Sequence, residues 1–333
     1  MKTPCEDDND LSMDMNQQKK CRLIGLDWGT TSLRSYLLGD GGAILQQRSF
    51  PLGVMHLQER IGYVQGKVPV FESALEESCG DWMSLLPSLP MLASGMVGSD
   101  RGWKEVPYLS VPCDLSVLHE HLVTLENRWM RKIYCVPGLF ESGSPPEVMR
   151  GEETQVFGAM SINEGPILFG LPGTHSKWVQ VSKTCIRHFK TFMTGEIFKV
   201  LCRHTVLGAM MADGAEDIHS FHRGVSVSMK DEERHNSVLS SIFSVRTLGI
   251  TRKLPPESQA DYLSGLLIGH EVSSLRSWFH LNQPSTTPII LAGDENLCAR
   301  YAYALKQYGY EAVQISAHAT PHGLWKIAVQ ALL

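Results

Sequence analysis

The sequence has no long apolar run and no dense run of basic residues. None of its apolar stretches approaches the ~18 to 20 residues that a membrane-spanning helix needs, and the first residues lack the apolar core of a secretory signal. With 30 Lys and Arg against 35 Asp and Glu, the chain is mildly acidic and lacks the basic surface typical of nucleic-acid-binding proteins. We therefore expect a cytoplasmic protein with neither a membrane nor a nucleic acid as a partner.

Clustered metal ligands are missing as well. The 8 cysteines are widely spaced, without a Cys-x-x-Cys pair and without a histidine at zinc-finger spacing, so we expect free and mostly buried thiols. Two histidine pairs, His219 with His222 and His318 with His322, are close enough in sequence to share a metal. Among 13 histidines such pairs arise by chance, so we favour the interpretation without a metal.

Chain length and local composition predict the domain organisation. Residues 1–20 are polar and aperiodic, which predicts a disordered extension, and their acidic content argues against a mitochondrial transit peptide. The total of 333 residues is too long for one typical core and suits two domains. We place an N-terminal domain over 21–148 and a C-terminal domain over 149–333, with the Ser/Gly/Pro-rich loop at 142–146 as the hinge.

A strand–turn–strand pattern near the N-terminus is the first feature that indicates a binding site. A predicted strand ends at Asp27, and Gly29, Thr30 and Thr31 form the turn into a second strand. Because glycine has no side chain, amide groups and hydroxyls of such a turn can approach a phosphate. The Asp27 carboxylate can hold Mg²⁺. Alternatively, it only caps the turn.

The same architecture recurs in the middle of the chain. An apolar strand at 167–169 leads into a turn at Gly173 and Thr174, followed by a second extended segment. Most turns of this composition only reverse the chain. Two of them, well separated in sequence, indicate two similar domains that hold one polyphosphate. Lys177, just beyond the second turn, either contacts the phosphates or points into water.

A predicted helix that begins near Glu152 brings acids to the domain boundary. One interpretation is that Glu152 and Glu153 only provide negative charge at the helix N-terminus, where the dipole favours it. The other is that a carboxylate here takes the proton from a substrate hydroxyl that attacks phosphorus. Arg150 would then pair with a substrate carboxylate or stabilise the transferring phosphoryl group.

Two further segments predict binding pockets. A buried strand at 91–97 enters an irregular segment in which polar and aromatic residues alternate, which is typical of a pocket for a polyol or carboxylate; a loop packed by its own aromatics is the alternative. The predicted substrate-binding residues are Ser94, Met96, Trp103, Lys104 and Tyr108. Nearer the C-terminus, a strand, a turn at Gly293 and a helix form an arrangement that seats adenosine in many nucleotide sites. Two other helices are predicted with Thr194 and Thr320 as their caps.

The order of these motifs resembles that of the sugar kinases of the actin and Hsp70 ATPase superfamily. More specifically, the chain resembles the 2-dehydro-3-deoxygalactonokinases from about residue 23 to the C-terminus. The motifs that carry this resemblance are Met-Val-Gly-Ser with Gly-Trp-Lys and Pro-Tyr-Leu-Ser-Val-Pro within 96–112, Met-Arg-Gly-Glu-Glu-Thr-Gln at 149–155, Pro-Gly-Thr-His-Ser-Lys-Trp-Val at 172–179, Met-Thr-Gly-Glu at 193–196 and Leu-Ser-Gly-Leu-Leu-Ile-Gly at 263–269.

The resemblance implies an α/β fold with two ribonuclease-H-like (actin-like ATPase) domains and a nucleotide and substrate cleft between them. It also implies transfer of phosphate from ATP, with Mg²⁺, to the 6-hydroxyl of 2-dehydro-3-deoxy-D-galactonate. Where related kinases carry a Gly-Asp-Gln triplet that supplies the base, this chain has Gly151-Glu152-Glu153. Glu152 is therefore the proposed base, and Glu153 stays open as the alternative. By the same matching, Asp27, Gly29, Thr30 and Thr31 belong to the first phosphate loop, Gly173 and Thr174 to the second, and Gly293 to the adenosine turn.

Two other classes of function remain as alternatives, and a homodimer is one option for the assembly. A non-enzymatic sensor would bind nucleotide or sugar acid without forming product. An ATPase without a sugar substrate would hydrolyse ATP alone. The candidate base argues against the sensor, and the segment from Arg101 to Tyr108 argues for a small-molecule pocket and against the pure ATPase.

Overall fold

The computed structural model describes residues 18–61, 66–160, 166–279, 286 and 288–333. Most of the predicted N-terminal extension, residues 1–17, therefore lies outside the described residues. Within the described ranges no helix is both long and apolar enough to cross a membrane. The seven cysteines that the structure describes are all free, and five of them are buried.

The first half of the chain forms a six-stranded sheet. The strands up to this point are β1 (Cys21–Trp28), β2 (Leu33–Gly39), β3 (Ile44–Phe50), β4 (Met91–Gly95), β5 (Leu109–Ser110), β6 (Cys113–Asp114), β7 (Val123–Leu125) and β8 (Ile133–Cys135). The order in this first sheet is β3-β2-β1-β4-β8-β7. Strands β1 to β3 pair antiparallel, whereas β4 is parallel to β1 and β8 is parallel to β4.

The second half repeats that topology. Its strands are β9 (Leu139–Glu141), β10 (Glu147–Met149), β11 (Pro166–Leu171), β12 (Ser176–Ser182), β13 (Cys185–Phe192), β14 (Ile289–Ala292) and β15 (Val313–Ser316). The order in the second sheet is β15-β14-β11-β12-β13-β6, with β11 to β13 antiparallel and β14 and β15 added in parallel. A third, small sheet has the order β10-β9-β5. Three antiparallel strands followed by two parallel ones, twice over, confirm the predicted α/β fold with two ribonuclease-H-like units.

Ten α-helices within the described residues cover these sheets. They are α1 (Val54–Ile61), α2 (Val68–Leu85), α3 (Glu152–Ala159), α4 (Thr194–His204), α5 (Ile218–Glu233), α6 (Val238–Ser241), α7 (Ser244–Ile250), α8 (Gln259–Trp278), α9 (Glu295–Gln307) and α10 (Ala319–Ala331). Two predicted caps are wrong. Thr194 lies inside α4, and its hydroxyl bonds to the Glu271 carboxylate, so it is not free to cap the helix. Thr320 lies inside α10, because the left-handed backbone of His318 (φ 55°) starts that helix earlier.

Strand alternation produces one apolar core that joins the two sheets. Leu26 of β1 packs with α1 and α2. Leu23 lies on the opposite face of the same strand and packs in a middle cluster with Phe157 of α3 and Leu324 of α10. In the second sheet Phe169 of β11 belongs to the same middle cluster, while the next outer layer contains α5, α8 and α9. Helices α3 and α10 therefore lie between the sheets, and α3 begins at the cleft that they leave open.

The predicted domain boundary stays a prediction, but the predicted hinge is wrong. Residues 142–146 form the hairpin loop between β9 and β10, whose ends pair at Glu141 and Glu147. The chain also exchanges elements between its halves. Strand β6 pairs with β13 at the edge of the second sheet, and α10 packs against the first.

Candidate active site

A cleft of about 380 Å³ opens where the two strand–turn–strand motifs face each other. In each sheet a central strand and its parallel neighbour, β1 with β4 and β11 with β14, run towards this side, and the carboxyl ends of such strands are where open α/β sheets bind ligands. The predicted site residues that line the cleft are Asp27, Gly29, Thr30, Thr31, Met96, Tyr108, Arg150, Glu152, Gly173, Thr174 and Lys177. Gln155 and His175 line it too, and neither is among the predicted site residues.

Glu152 enters the cleft from the first turn of α3. Its side chain is 23% exposed, and its Oε1 lies 3.6 Å from Nζ of Lys177. Its Oε2 accepts a hydrogen bond of 2.9 Å from the backbone N–H of Arg150. Gly151, with φ at 105°, turns the chain sharply into the helix in a conformation that glycine adopts readily. The carboxylate is thus accessible and held in a fixed place.

Glu153, the other candidate base, points away from the cleft and is fully buried. Its two oxygens accept hydrogen bonds of 3.0 and 2.8 Å from the N–H of Gly151, and Oε1 accepts another of 3.0 Å from the Thr154 hydroxyl. Burial raises the pKa of Glu153 to about 7, and the nearby charge of Glu152 acts in the same direction. Because this carboxyl group cannot reach a ligand in the cleft, the geometry favours Glu152 as the base.

The interpretation in which Lys177 points into water is wrong. Lys177 is only 6% exposed, and its ammonium group faces Glu152 across the cleft. Lys177 therefore bridges the second turn and the start of α3.

The second turn is supported by α4. The carbonyl of Thr174 accepts a hydrogen bond of 2.9 Å from the N–H of Glu196, and its hydroxyl accepts one of 3.2 Å from Nζ of Lys199. His175 forms an ion pair with the carboxylate of Glu196 when it is protonated. The N-terminus of α4 therefore sits directly behind the turn, where its dipole stabilises negative charge in the cleft.

Asp27 is the only acid of the first turn, and its side chain is 15% exposed. Burial raises its pKa, and the nearby Glu152 adds to this, while Arg34, whose Nη1 lies 3.5 Å from the carboxylate, lowers it. No group of three His, Cys, Asp or Glu side chains among the described residues could hold a metal by itself. Mg²⁺ is commonly bound by one or two carboxylates together with substrate phosphates, so a single carboxylate here fits an ion that arrives with a nucleotide.

Arg150 places an unusual positive charge in the cleft wall. Its side chain is only 7% exposed, its Nη2 donates a hydrogen bond of 2.6 Å to the carbonyl of Val106, and its guanidinium carbon lies 4.2 Å from the centre of the Tyr108 ring. Its Nε and Nη1 have no hydrogen-bond partner among the described residues. Because Arg150 lines the cleft, its positive charge favours an anionic ligand there.

Three predicted substrate-binding residues do not line the cleft. Ser94 is fully buried and shares a hydrogen bond of 2.7 Å with the Thr154 hydroxyl. Trp103 packs edge-on against Trp28 in the core of the first sheet. Lys104 donates a hydrogen bond of 3.1 Å to a backbone carbonyl on β7. Of the five predicted substrate-binding residues, only Met96 and Tyr108 line the cleft.

A second cavity of about 420 Å³ lies next to the cleft, and Gly173 lines both. Its walls contain residues that the sequence predictions missed, namely Thr194, Gly195, Phe198, Asp261, Arg300 and Tyr301. Thr194 and Gly195 belong to the Met-Thr-Gly-Glu motif, which could have indicated them. Asp261, Arg300 and Tyr301 lie in helices whose sequence pattern indicates only packing. Gly293 lines a neighbouring cavity of about 260 Å³, while Asp294 and Asn296, which follow it, line the second cavity itself. A larger cavity of about 840 Å³ beside α2 contains none of the predicted site residues.

Comparisons with known proteins identify the family. The model of the family described as 2-keto-3-deoxy-galactonokinase matches residues 27–327. The chain is 35% identical over 296 residues to the 2-dehydro-3-deoxygalactonokinase of Escherichia coli strain K12, covering 89% of this chain and 93% of that one. It is 31% identical over 314 residues to a Rhizobium meliloti strain 1021 protein with a probable assignment to the same activity, covering 91% and 97%. A crystal structure of a Sinorhizobium meliloti protein, provisionally assigned as a 2-dehydro-3-deoxygalactonokinase, superposes with a TM-score of 0.76 at 30% identity, covering 92% of this chain and 98% of that one.

Proposed function

This chain belongs to the 2-keto-3-deoxy-galactonokinase family, and from that premise we propose that it transfers the γ-phosphoryl group of ATP to the 6-hydroxyl of 2-dehydro-3-deoxygalactonate. The observation that carries the proposal is the position of Glu152. This carboxylate lies in one cleft with both Gly-Thr turns and next to the buried Lys177.

The two turns are proposed to hold the triphosphate between them. Gly29 and Thr30 would bind it from the side of the first sheet, and Gly173 and Thr174 from the side of the second. The nucleoside would then lie in the second cavity, which shares Gly173 with the cleft. Asp27 would hold Mg²⁺, which would neutralise charge on the phosphate oxygens.

Glu152 is the proposed general base. As the 6-oxygen of the sugar acid forms its bond to the γ-phosphorus and the bond from phosphorus to the ADP oxygen breaks, Glu152 takes the hydroxyl proton. Lys177 stands where it can stabilise the charge on the transferring group. The products are ADP and the 6-phosphate of the sugar acid, and proton transfer of this kind contributes roughly 10² to 10⁴ in rate.

Arg150 supports the choice of an acidic sugar as the acceptor. Its guanidinium group stacks on Tyr108, and both residues line the cleft. A substrate carboxylate would balance this charge, whereas a neutral hexose would not. We therefore infer that Arg150 selects for the carboxylate of the substrate.

One assay separates this proposal from its alternatives. ADP release should be measured with 2-dehydro-3-deoxygalactonate, with its epimers, with neutral hexoses and with no acceptor. We expect rapid release only with keto-deoxy sugar acids. Equal ADP release without any acceptor would instead support an ATPase, and binding of both ligands without release of ADP would support a sensor.

A further inference from the structure

A buried carboxylate on α8 connects parts of the proposed nucleotide site without lining either cavity. Glu271 is 3% exposed. Its Oε1 accepts hydrogen bonds of 2.9 Å from the Ser176 hydroxyl and 2.7 Å from the indole N–H of Trp178, and its Oε2 accepts one of 2.8 Å from the Tyr301 hydroxyl. The Thr194 hydroxyl is a further donor to this carboxylate.

Packing alone does not explain why a charged residue occupies position 271. The side chains that bond to it include Trp178 and Tyr301, which belong to the apolar cluster on the outer face of the second sheet. Taking a carboxylate out of water costs several kcal/mol unless hydrogen bonds compensate, and an apolar side chain of similar size often replaces such a group without loss of stability. Burial raises the pKa of Glu271, and its four donors oppose that shift.

The donors that meet at Glu271 come from the elements that would hold the nucleotide. Ser176 begins β12, two residues after Thr174 of the second turn. Thr194 begins α4 and lines the second cavity, and Tyr301 of α9 lines it from another side. One carboxylate therefore fixes the phosphate turn, the start of α4 and the cavity wall relative to one another.

We propose that Glu271 is a positioning residue for the nucleotide, which sets the distance between the phosphate turn and the nucleoside cavity. This inference rests on the proposed function, because it places the triphosphate at the turn and the nucleoside in the cavity. A nucleotide that is held at both ends binds tightly only when its two subsites are fixed at the right separation. The protein then loses no further conformational entropy when the nucleotide binds.

The main test is Glu271→Gln, which keeps the shape of the side chain but replaces one accepting oxygen with a donor. We expect the Kd for ADP and the KM for ATP to rise about tenfold or more. The kcat at saturating ATP should stay within about threefold, and the KM for the sugar acid should not change. The matched control is Glu72→Gln. Glu72 is 5% exposed, accepts a hydrogen bond of 2.6 Å from the N–H of Arg128, and lies on α2, away from both cavities. The Glu72→Gln variant should leave the Kd for ADP unchanged.

Two milder variants separate the two sides of the connection. Ser176→Ala removes the donor next to the phosphate turn, and Tyr301→Phe removes the donor at the cavity. We expect Ser176→Ala to weaken ADP but not adenosine, and Tyr301→Phe to weaken both. In the Glu271→Gln background neither should add its full effect, because their common partner is already changed.

The outcomes distinguish this inference from the proposed function. Wild-type protein that does not bind ADP would overturn both. If wild type binds ADP and Glu271→Gln binds it equally well, only the positioning role is overturned. The positioning role is also overturned if Glu271→Gln raises both KM values and lowers kcat together, since this would indicate a general loss of structure. Should Glu271→Gln fail to fold, normal ADP binding by both Ser176→Ala and Tyr301→Phe would overturn it as well.

Discussion

At the scale of single residues, the structure places two adjacent acids in opposite environments. Glu152 and Glu153 are neighbours in sequence, yet the first lies in the cleft and the second is fully buried. On a helix, consecutive side chains point about 100° apart, so one of them faces the open cleft while the other faces the core. Two predictions follow from this difference in environment.

Replacing Glu152 with Gln should lower kcat by roughly 10² to 10⁴, because the amide cannot accept the hydroxyl proton. The Kd for ADP should stay within about threefold, since the change keeps the size of the side chain. Steady-state kinetics and calorimetric titration with ADP measure the two effects. Glu295→Gln is the control, because Glu295 is likewise an acid in the first turn of a helix, α9, but is exposed and lines neither the cleft nor the second cavity. An equal and small effect of both variants on kcat would show that Glu152 only stabilises the N-terminus of its helix.

Replacing Glu153 with Gln should change how stability depends on pH. The pKa of this carboxyl rises from its ordinary value of 4.5 to about 7 in the folded protein, so the folded state binds more protons than the unfolded state in that window. The free energy of unfolding of the wild type should therefore fall as pH rises from about 4.5 to about 7, by an amount on the order of 3 kcal/mol. Glu153→Gln has no proton to lose and should remove this slope. Urea denaturation at several pH values measures it, and parallel curves for the two proteins would contradict the interpretation.

At the scale of elements, the position of the proposed base depends on how closely two helices approach each other. Helix α3 carries Glu152, and it packs on α10 between the two sheets. A Cβ atom on Gly323 would lie 1.9 Å from the carbonyl oxygen of Thr154, and one on Gly158 would lie 1.8 Å from the carbonyl oxygen of Ala319. The backbones touch at these two glycines, so any side chain there must push α3 away from its place.

Gly323→Ala should therefore reduce both stability and kcat. Because the new methyl group meets backbone and not a flexible side chain, we expect a loss of about 1 to 3 kcal/mol in the free energy of unfolding. The kcat should fall about tenfold or more as Glu152 shifts, with a smaller change in the Kd for ADP. In the control Gly80→Ala, the new Cβ would lie 3.1 Å from the flexible Glu76 side chain, and both quantities should stay near wild type. Full activity of Gly323→Ala would show that the position of α3 does not depend on this contact.

At the scale of the whole molecule, the two halves share one core. Strand β6 joins the second sheet from the first half, and α10 fills the face of the first sheet from the second half. Leu324 of α10 is fully buried and would meet a Cβ placed on Gly25 of β1 at 3.0 Å. We infer that the halves unfold together. The homodimer and the cytoplasmic location stay predictions from the sequence.

Leu324→Ala tests this shared core. Removing a buried leucine side chain should lower the free energy of unfolding by about 2 to 5 kcal/mol. Hydrogen exchange should show the same loss of protection in β1 and β2 as in β11 and β12, because one cluster supports both sheets. Val329→Ala on the same helix is the control, since Val329 is 49% exposed and should change stability little. Loss of protection confined to the first sheet would show that the halves unfold separately.

Most of the fold was predictable from the sequence because the signals are local. Strands such as β1 and β11 are short apolar runs that end in glycine-containing turns, and α8 and α9 show helical spacing of apolar residues. The turns at Gly29 and Gly173 were predicted from the same local rules. The hinge at 142–146 was predicted wrongly, because a loop rich in Ser, Gly and Pro looks the same whether it joins two domains or two strands of a hairpin.

The sequence by itself determined the strands around the two turns, the turns themselves and the kind of chemistry that their residues can perform. Only the tertiary structure decided which side chains meet. It placed Glu152 in the cleft and Glu153 in the core, paired Lys177 with Glu152, and kept Trp103 out of the site. It also joined Glu271 to Tyr301, 30 positions away. Local pattern records which face of an element is buried, but the partner of a buried polar group is set by the packing of distant segments.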